Sequence, residues 1–578
     1  MIKNAWRNFR VDGLVLFLFV VISIFMFYPY YQTGEVYTGD DFRFHIQRME
    51  GWYQMLSSGG GYSYANFLTF RQIGYPLDLF YPFLTFFPSV FFRFLFTSPI
   101  TAYYAYFFVW QILTMGLCYF IGRKLWRSRL ACFSFAVGYS FATYRLIDLF
   151  YRAAVGETLA LTFFPLAIYG LYALAVGKRH AWIPLSLGVT FVLFSHLLSV
   201  VLLCAVLFLM LICYLPEFLR HKKRWFALGG AFFATVLFAA ITLFPLLEQM
   251  QMGDYTASYR PTLSEYQLSL GENLWASLTN QLQFDWLGTD YCVGFFAVLS
   301  MVFGVIFVRR ITKFGRVMLF LAVFFFLFEC LMNWDLVQDT AVATIQFPWR
   351  LDGVITVCAL FVLGEVLEFI WRTERFTTFT RTSCYIAALL IVLLSLVTST
   401  QMLHNLQDRE SSEGADRKPV TFYNYEAIAV LHGGWPGDYL SEAASENQDS
   451  ILAHETFLEN GTFEEKVVNN TLTISCQLDE AGVLDTYVPY YKGFKIYDNG
   501  KELPVSVSDR GTIQAELSDG SHHIVIGYEM TAIQKISWTI SLLSGGALLT
   551  FSLWQALYAY RKAKRSKQIF QVDESFGL

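Results

Sequence analysis

The chain has 578 residues, of which 55% are hydrophobic, 18% aromatic and only 15% charged. That balance, with a positive mean hydropathy, excludes a soluble cytosolic enzyme, and a formal net charge of -4 provides no global basic field for nucleic acid. The 58 Phe and 34 Tyr fall in long runs, as lipid-facing helices and interfacial rings require.

The first apolar run covers residues 11–31 and follows Lys3, Arg7 and Arg10. It matches the ~20 residues that cross a bilayer and lacks a small-residue cleavage site, so it reads as a retained helix rather than a removed signal peptide. Further spans are expected at 102–121, 130–146, 158–176, 182–196, 198–215, 225–246, 292–308, 317–332, 351–371, 383–401 and 533–558, twelve in all. With these spans, the basic clusters at the N-terminus, 123–129, 178–179, 220–224, 309–316, 372–381 and 561–567 all fall on the cytoplasmic side, and so do both termini. The pattern holds only if residues 77–96, broken by Pro82 and Pro88, dip into the membrane and return. The expected class is therefore an α-helical polytopic membrane protein of about twelve spans plus a re-entrant segment.

Three regions follow from this reading: a transmembrane domain at 1–401 with an outer loop at 32–76, an extracytoplasmic domain at 402–532, and a last span with a basic cytoplasmic tail at 533–578. The second region becomes β-rich from about 464, where residues alternate as in strands over 466–476, 483–489, 493–497, 502–507, 512–517 and 522–528. Asp498-Asn499-Gly500 is a two-residue hairpin signal, because Asn and Gly tolerate positive φ. Another outer loop, 248–291, carries Asp254, Glu265, Glu272, Asp285 and Asp290. Of the nine cysteines, seven lie in apolar stretches, Cys292 sits at a membrane edge and Cys476 stands alone, so neither a disulfide framework nor zinc spacing emerges.

The most informative stretch is Thr38-Gly39-Asp40-Asp41-Phe42-Arg43-Phe44-His45, just past the first span. Gly39 permits a sharp exit from the membrane, and Asp41, His45 and Arg48 share one face of a short helix. A carboxylate at that boundary can take a proton from a hydroxyl, with its pKa tuned by nearby cations and desolvation. Helix capping by Asp40 or Asp41 is the competing reading. Other ionisable groups reach the same side: Arg145, Asp148, Arg152 and Glu157 in one turn, His196 in a second, and Arg350 at the start of a span. Such groups at membrane depth are costly unless paired, and arginine grips phosphate through two parallel bonds. Each also has a structural alternative: Arg350 snorkels beside Trp349, Arg152 pairs with Glu157, and His196 bonds at a helix end.

Taken in order, Gly39 to His45, Gly74 to Pro82, Tyr151 to Glu157, Ser195 to Ser199 and Gln346 to Leu351 resemble the bacterial YfhO-type membrane proteins, often labelled 6-pyruvoyl-tetrahydropterin synthase-related. Val488 to Phe494 with Asp498 to Lys501 resembles their extracytoplasmic β-domain, so the likeness runs along nearly the whole chain. The resemblance implies a GT-C-like core and a glycosyltransferase that uses a polyprenyl-phosphate sugar at the outer face of the bacterial cytoplasmic membrane. It implies inversion, with Asp40 or Asp41 as the general base. It also gives His45, Arg48, Arg145, Arg152, Glu157, His196 and Arg350 to the substrates. The implied partners are the lipid-linked donor and a cell-envelope polymer or glycolipid acceptor. Some GT-C enzymes use a divalent metal, but Asp41 and His45 alone are too thin a ligand set to assign one. A lateral groove for the lipid tail is expected along 77–96, walled by Phe80, Phe83, Phe86 and Phe87 unless these serve ordinary packing. The rival readings are a transporter or lipid flippase and a non-catalytic envelope sensor. A relay across mid-membrane would favour the first, whereas the ionisable groups here gather on one side, Glu329 excepted.

Overall fold

The computed structural model describes residues 2–36, 40–253, 255, 261–280, 284–285, 288–289, 291–373, 377–412, 420–421 and 438–575. Gly39, Asp254, Asp290 and residues 413–419 and 422–437, all of which entered the sequence reading, lie outside the described residues.

Each of the twelve expected apolar segments falls on a helix or a bent helix pair. Seven helices are long and apolar enough to cross a membrane: Arg10–Gln32, Pro99–Leu125, Val155–Ala175, Lys313–Leu331, Pro348–Arg372, Thr382–Gln407 and Ala532–Tyr558. Two bent pairs, Arg129–Ser140 with Thr143–Tyr151 and Lys223–Phe238 with Ala240–Met250, turn by 47° and 71° and raise the number to nine. The remaining three, Trp182–Leu193, Leu197–Cys213 and Phe295–Ile306, are shorter. A twelve-residue helix rises only about 18 Å against a hydrocarbon core of about 30 Å. By length and composition the count among the described residues is therefore seven to nine rather than twelve.

The loops that carry the basic clusters meet at one end of the helices. Arg129 pairs with Asp12 at 3.0 Å and Lys313 with Glu217 at 2.6 Å. Glu368 accepts the backbone N–H groups of Arg127 and Ser128 at 3.0 and 2.8 Å, while Glu365 accepts Trp126 Nε1 and the Thr312 N–H at 2.9 and 3.0 Å. These carboxylates satisfy loop donors that would otherwise be stranded against the bundle.

At the other end stands the helix Phe42–Ser57, which buries Phe42, Ile46, Met49 and Trp52 at helical spacing. Residues 77–96 fold onto it and form no crossing helix; their only α-helix is the seven-residue Ser89–Leu95. The Trp52 ring lies 5.7 Å from Phe86 and 5.4 Å from Phe87, and Phe83 stacks on Tyr62 at 5.3 Å. The expected groove wall is thus corrected. Phe83, Phe86 and Phe87 are packing residues, because the Pro-broken chain finds its apolar partner in this helix.

Residues 457–528 form two antiparallel sheets. One has five strands in the order Lys501–Leu503, Phe494–Asp498, Gly520–Tyr528, Thr471–Leu478, Gly461–Val468. The other has four, ordered Ser506–Val507, Thr512–Leu517, Gly482–Pro489, Phe457–Leu458. Leu472, Ile474, Cys476 and Leu478 alternate into the interior along one strand. Asn499 and Gly500, at φ 48° and 82°, close the expected hairpin between Asp498 and Lys501.

Two expected strands split. Asn469 and Asn470, at φ 48° and 61°, turn the chain inside 466–476. Pro504, which has no N–H to give a ladder, separates the parts of 502–507 that join different sheets. The sheets dock on the helical region through Asn470, which accepts from the Phe67 N–H at 2.8 Å and donates to the Ala65 carbonyl at 2.9 Å. Gln249 and Lys492 add a two-way amide pair at 2.8 and 3.1 Å.

Candidate functional site

A cavity of about 460 Å³ opens at the end of the helices that carries the sheets, between the start of Phe42–Ser57, the turn at 80–82, the start of Leu197–Cys213 and the turn before Pro348–Arg372. Its charged lining comes from Asp40, Asp41, Arg43, Arg350 and Asp438. His45 and His196 also face it.

Asp40 and Asp41 are held by their backbone. Both N–H groups donate to the Arg152 carbonyl at 2.9 Å. That carbonyl belongs to a tight reversal between two helices, where a π-turn over Ile147–Tyr151 is followed by Ala153 at φ 53°. A left-handed alanine is sterically strained and persists only where its surroundings fix it. Asp41 occupies the N-cap position of Phe42–Ser57 but makes no side-chain cap bond, which leaves its carboxyl to the cavity. Burial pushes that carboxyl up to about 6, with Arg152 pulling against the rise. Asp40 is more exposed; its Oδ2 accepts from Tyr291 at 3.3 Å and lies 3.8 Å from Arg152 Nε. His45 is buried, and the loss of solvent, reinforced by Arg48, holds it well below the usual imidazole range, hence neutral.

Behind the lining lies a buried ion cluster. Arg152 donates from Nη1 to Asp148 at 2.6 Å and to Glu157 at 2.9 Å, and its guanidinium rests 4.3 Å from the Trp349 ring. Glu157 also accepts from the Tyr144 hydroxyl at 2.6 Å and approaches Arg350 Nε at 3.7 Å. Arg350 spends Nη1 on the Ile345 carbonyl at 3.2 Å and still lines the cavity. His196 Nδ1 shares a hydrogen bond of 2.9 Å with Ser199.

Of the nine residues singled out in the sequence, Asp40, Asp41, His45, His196 and Arg350 line one cavity, with Arg152 and Glu157 directly behind it. Two lie elsewhere. Arg48 donates from Nη2 to Asp78, to the Tyr81 carbonyl and to the Pro82 carbonyl at 3.2, 3.3 and 3.0 Å, so it pins the 77–82 loop to the helix. It shares a helix face with His45, but its long side chain finds Asp78 before it reaches the cavity. Arg145 turns into the helix bundle, with its guanidinium 4.9 Å from the Tyr139 ring and Nη2 3.5 Å from Thr162.

Sequence reasoning passed over Arg43, Asp438 and Tyr439. Arg43 was legible as the neighbour of Asp41, whereas the other two arrive from nearly 400 residues away with no local signal. Among the described residues no three His, Cys, Asp or Glu side chains gather closely enough to hold a metal ion.

No protein-family model matches the chain. An uncharacterized protein of Lactococcus lactis subsp. cremoris (strain MG1363) is 26% identical over an alignment of 282 residues that covers 46% of this chain. The chain spans 44% of that relative's length. Among solved structures, the cryo-EM structure of arabinosyltransferase EmbB from Mycobacterium smegmatis is similar at a TM-score of 0.34 and 11% identity, covering 91% of this chain and 65% of that one. Similarity at this level assigns no chemistry, which has to be argued from the cavity.

Proposed function

We propose that the chain is a GT-C-type membrane glycosyltransferase that moves a monosaccharide from a polyprenyl-phosphate donor to a cell-envelope glycan or polymer. In this reading all twelve apolar segments cross or line the bilayer of the bacterial cytoplasmic membrane, the basic end and both termini face the cytoplasm, and the cavity lies outside. One observation carries the reading: a carboxyl that makes no cap bond, its pKa pushed up by burial, faces a cavity that also holds a guanidinium, and that cavity reaches an exposed apolar side of a helix.

That last feature belongs to Leu197–Cys213. Leu197 lines the cavity, and Val201, Cys204, Phe208 and Ile212 continue from it along one exposed apolar stripe. An isoprenoid chain lying on this stripe stays in lipid while its phosphate enters the cavity. Asp41 takes the proton of the acceptor hydroxyl, whose oxygen attacks the anomeric carbon from the face opposite the leaving group. The bond from that carbon to the phosphate oxygen breaks, and the lipid phosphate departs as an anion. Arg350 and Arg43 offset its charge, and His196 offers a hydrogen bond. Asp41 is the better base than Asp40, because its carboxyl makes no cap bond and burial raises its proton affinity, while Asp40 is engaged by Tyr291 and Arg152.

The experiment supplies membranes containing the chain with radiolabelled polyprenyl-phosphate sugars and follows label into envelope polymer. Transfer that depends on the chain supports the reading; no transfer from any such donor contradicts it.

A further inference from the structure

The cavity lining combines two kinds of side chain. Asp40, Asp41, Arg43, Arg350 and Asp438 supply charge, and Phe80, Tyr81 and Tyr439 supply aromatic rings. Among the described residues, Asp438 and Tyr439 are the lining residues from the C-terminal region, and the backbone of Tyr439 is unusual. Tyr439 has φ 62°, in the left-handed region that a bulky residue rarely adopts. Elements far apart in the chain hold it there. Its ring stacks on Phe80 with centroids 5.1 Å apart and planes 8° apart. The Tyr491 hydroxyl, just past the sheet region's Gly482–Pro489 strand, donates to the Tyr439 carbonyl at 2.9 Å, and the Tyr75 hydroxyl donates to the Asp438 carbonyl. A strained residue fixed by several partners, with its side chain in a cavity, points to a role for that side chain.

Resting on the glycosyl-transfer reading, we infer that Tyr439 and Asp438 form the acceptor subsite, which binds a pyranose ring of a glycan. Aromatic faces attract the C–H face of a sugar ring, and a carboxylate takes hydroxyl hydrogens in charge-assisted bonds, so the pair meets both surfaces of a saccharide. In the proposed reading the donor enters at Leu197, on the helix with the exposed apolar stripe, which leaves Tyr439 and Asp438 to the acceptor. Tyr439 stands with the β-sheet region, the part of the chain best placed to guide a large water-borne polymer.

The test uses the full chain in lipid nanodiscs and saturation-transfer NMR with maltotriose, cellotriose and chitotriose as acceptor probes, and citronellyl phosphate as the donor-side probe. At least one trisaccharide is expected to receive saturation from aromatic protons. Tyr439→Ala should weaken its binding about tenfold, which corresponds to one lost aromatic contact. Tyr439→Phe should retain binding, and Asp438→Asn should weaken it. None of these changes should alter binding of citronellyl phosphate. Tyr439→Leu keeps the bulk without the ring and serves if the alanine variant does not fold. The inference is overturned if no trisaccharide binds, if Tyr439→Ala and Tyr439→Leu bind as the wild type does, or if they lose citronellyl phosphate instead. Failure of the wild type to bind citronellyl phosphate, with saccharide binding still dependent on Tyr439, removes the donor reading and leaves the saccharide subsite standing.

Discussion

Arg48 and Arg350 are both buried arginines at the same end of the molecule, each beside a carboxylate, yet their surroundings differ. Arg48 is enclosed by Asp78 and two carbonyls, and Asp78 in turn accepts from Trp52 at 2.6 Å and Tyr62 at 3.1 Å. Arg350 has Glu157 on one side at 3.7 Å and the cavity on the other. An ionisable group near a membrane surface is therefore no evidence of a site by itself. What separates scaffold from site is whether the local partners enclose the group or leave it facing open volume.

The sharpest way to break this contrast is through the acid in the open region. Asp41→Asn is expected to lower transfer by about 10²- to 10⁴-fold, the range for a lost general base, with unchanged thermal unfolding; a variant with wild-type rate would move the base elsewhere. In the enclosed region Arg48→Ala should cost about 3–5 kcal/mol of stability, because it strands a buried carboxylate. Denaturation of the purified protein checks this, and a loss of rate in fully folded protein would mean that Arg48 meets substrate after all. Arg350→Lys keeps the charge but loses the planar fork that offsets the departing phosphate, so kcat/KM for the donor should fall about tenfold, with a lower kcat and a raised KM. An unaltered kcat/KM would return Arg350 to snorkelling. The smallest effect is expected from Tyr291→Phe, which removes one hydrogen bond of 3.3 Å to Asp40 and should change the rate by less than about fivefold, in line with a bond worth about 1 kcal/mol.

Much of the helical region was legible because hydrophobic run length and basic loops are local properties of a chain. The hairpin at Asn499-Gly500 was legible for the same reason: its φ demand is written into two adjacent residues. The turn at Asn469-Asn470 escaped notice because Asn-Asn is a weaker signal than Asn-Gly, and it sits inside an alternating run. Span length was misjudged where helices are short. Trp182–Leu193 and Phe295–Ile306 are apolar enough but stop after 12 residues each, the first before Phe194 and His196 and the second before Arg309.

The site was partly legible. Asp41, His196 and Arg350 each stand where a helix begins, and such starts recur at one end of alternating spans. The destinations of Arg48 and Arg145 were not legible, because each depends on a partner set by tertiary packing: Asp78 for one, Tyr139 and Thr162 for the other. Asp438 and Tyr439 could be placed only once the β-sheet region had docked.

The central claim, that Asp41 is a general base tuned by burial, is tested most directly by the pH dependence of single-turnover transfer. The base acts deprotonated, so the rate should fall below about pH 6 and level off above it, approaching tenfold per pH unit on the acid limb. Asp40→Asn should retain that limb. A rate independent of pH between about 5 and 8, or a limb that disappears in Asp40→Asn while Asp41→Asn keeps it, would contradict the assignment.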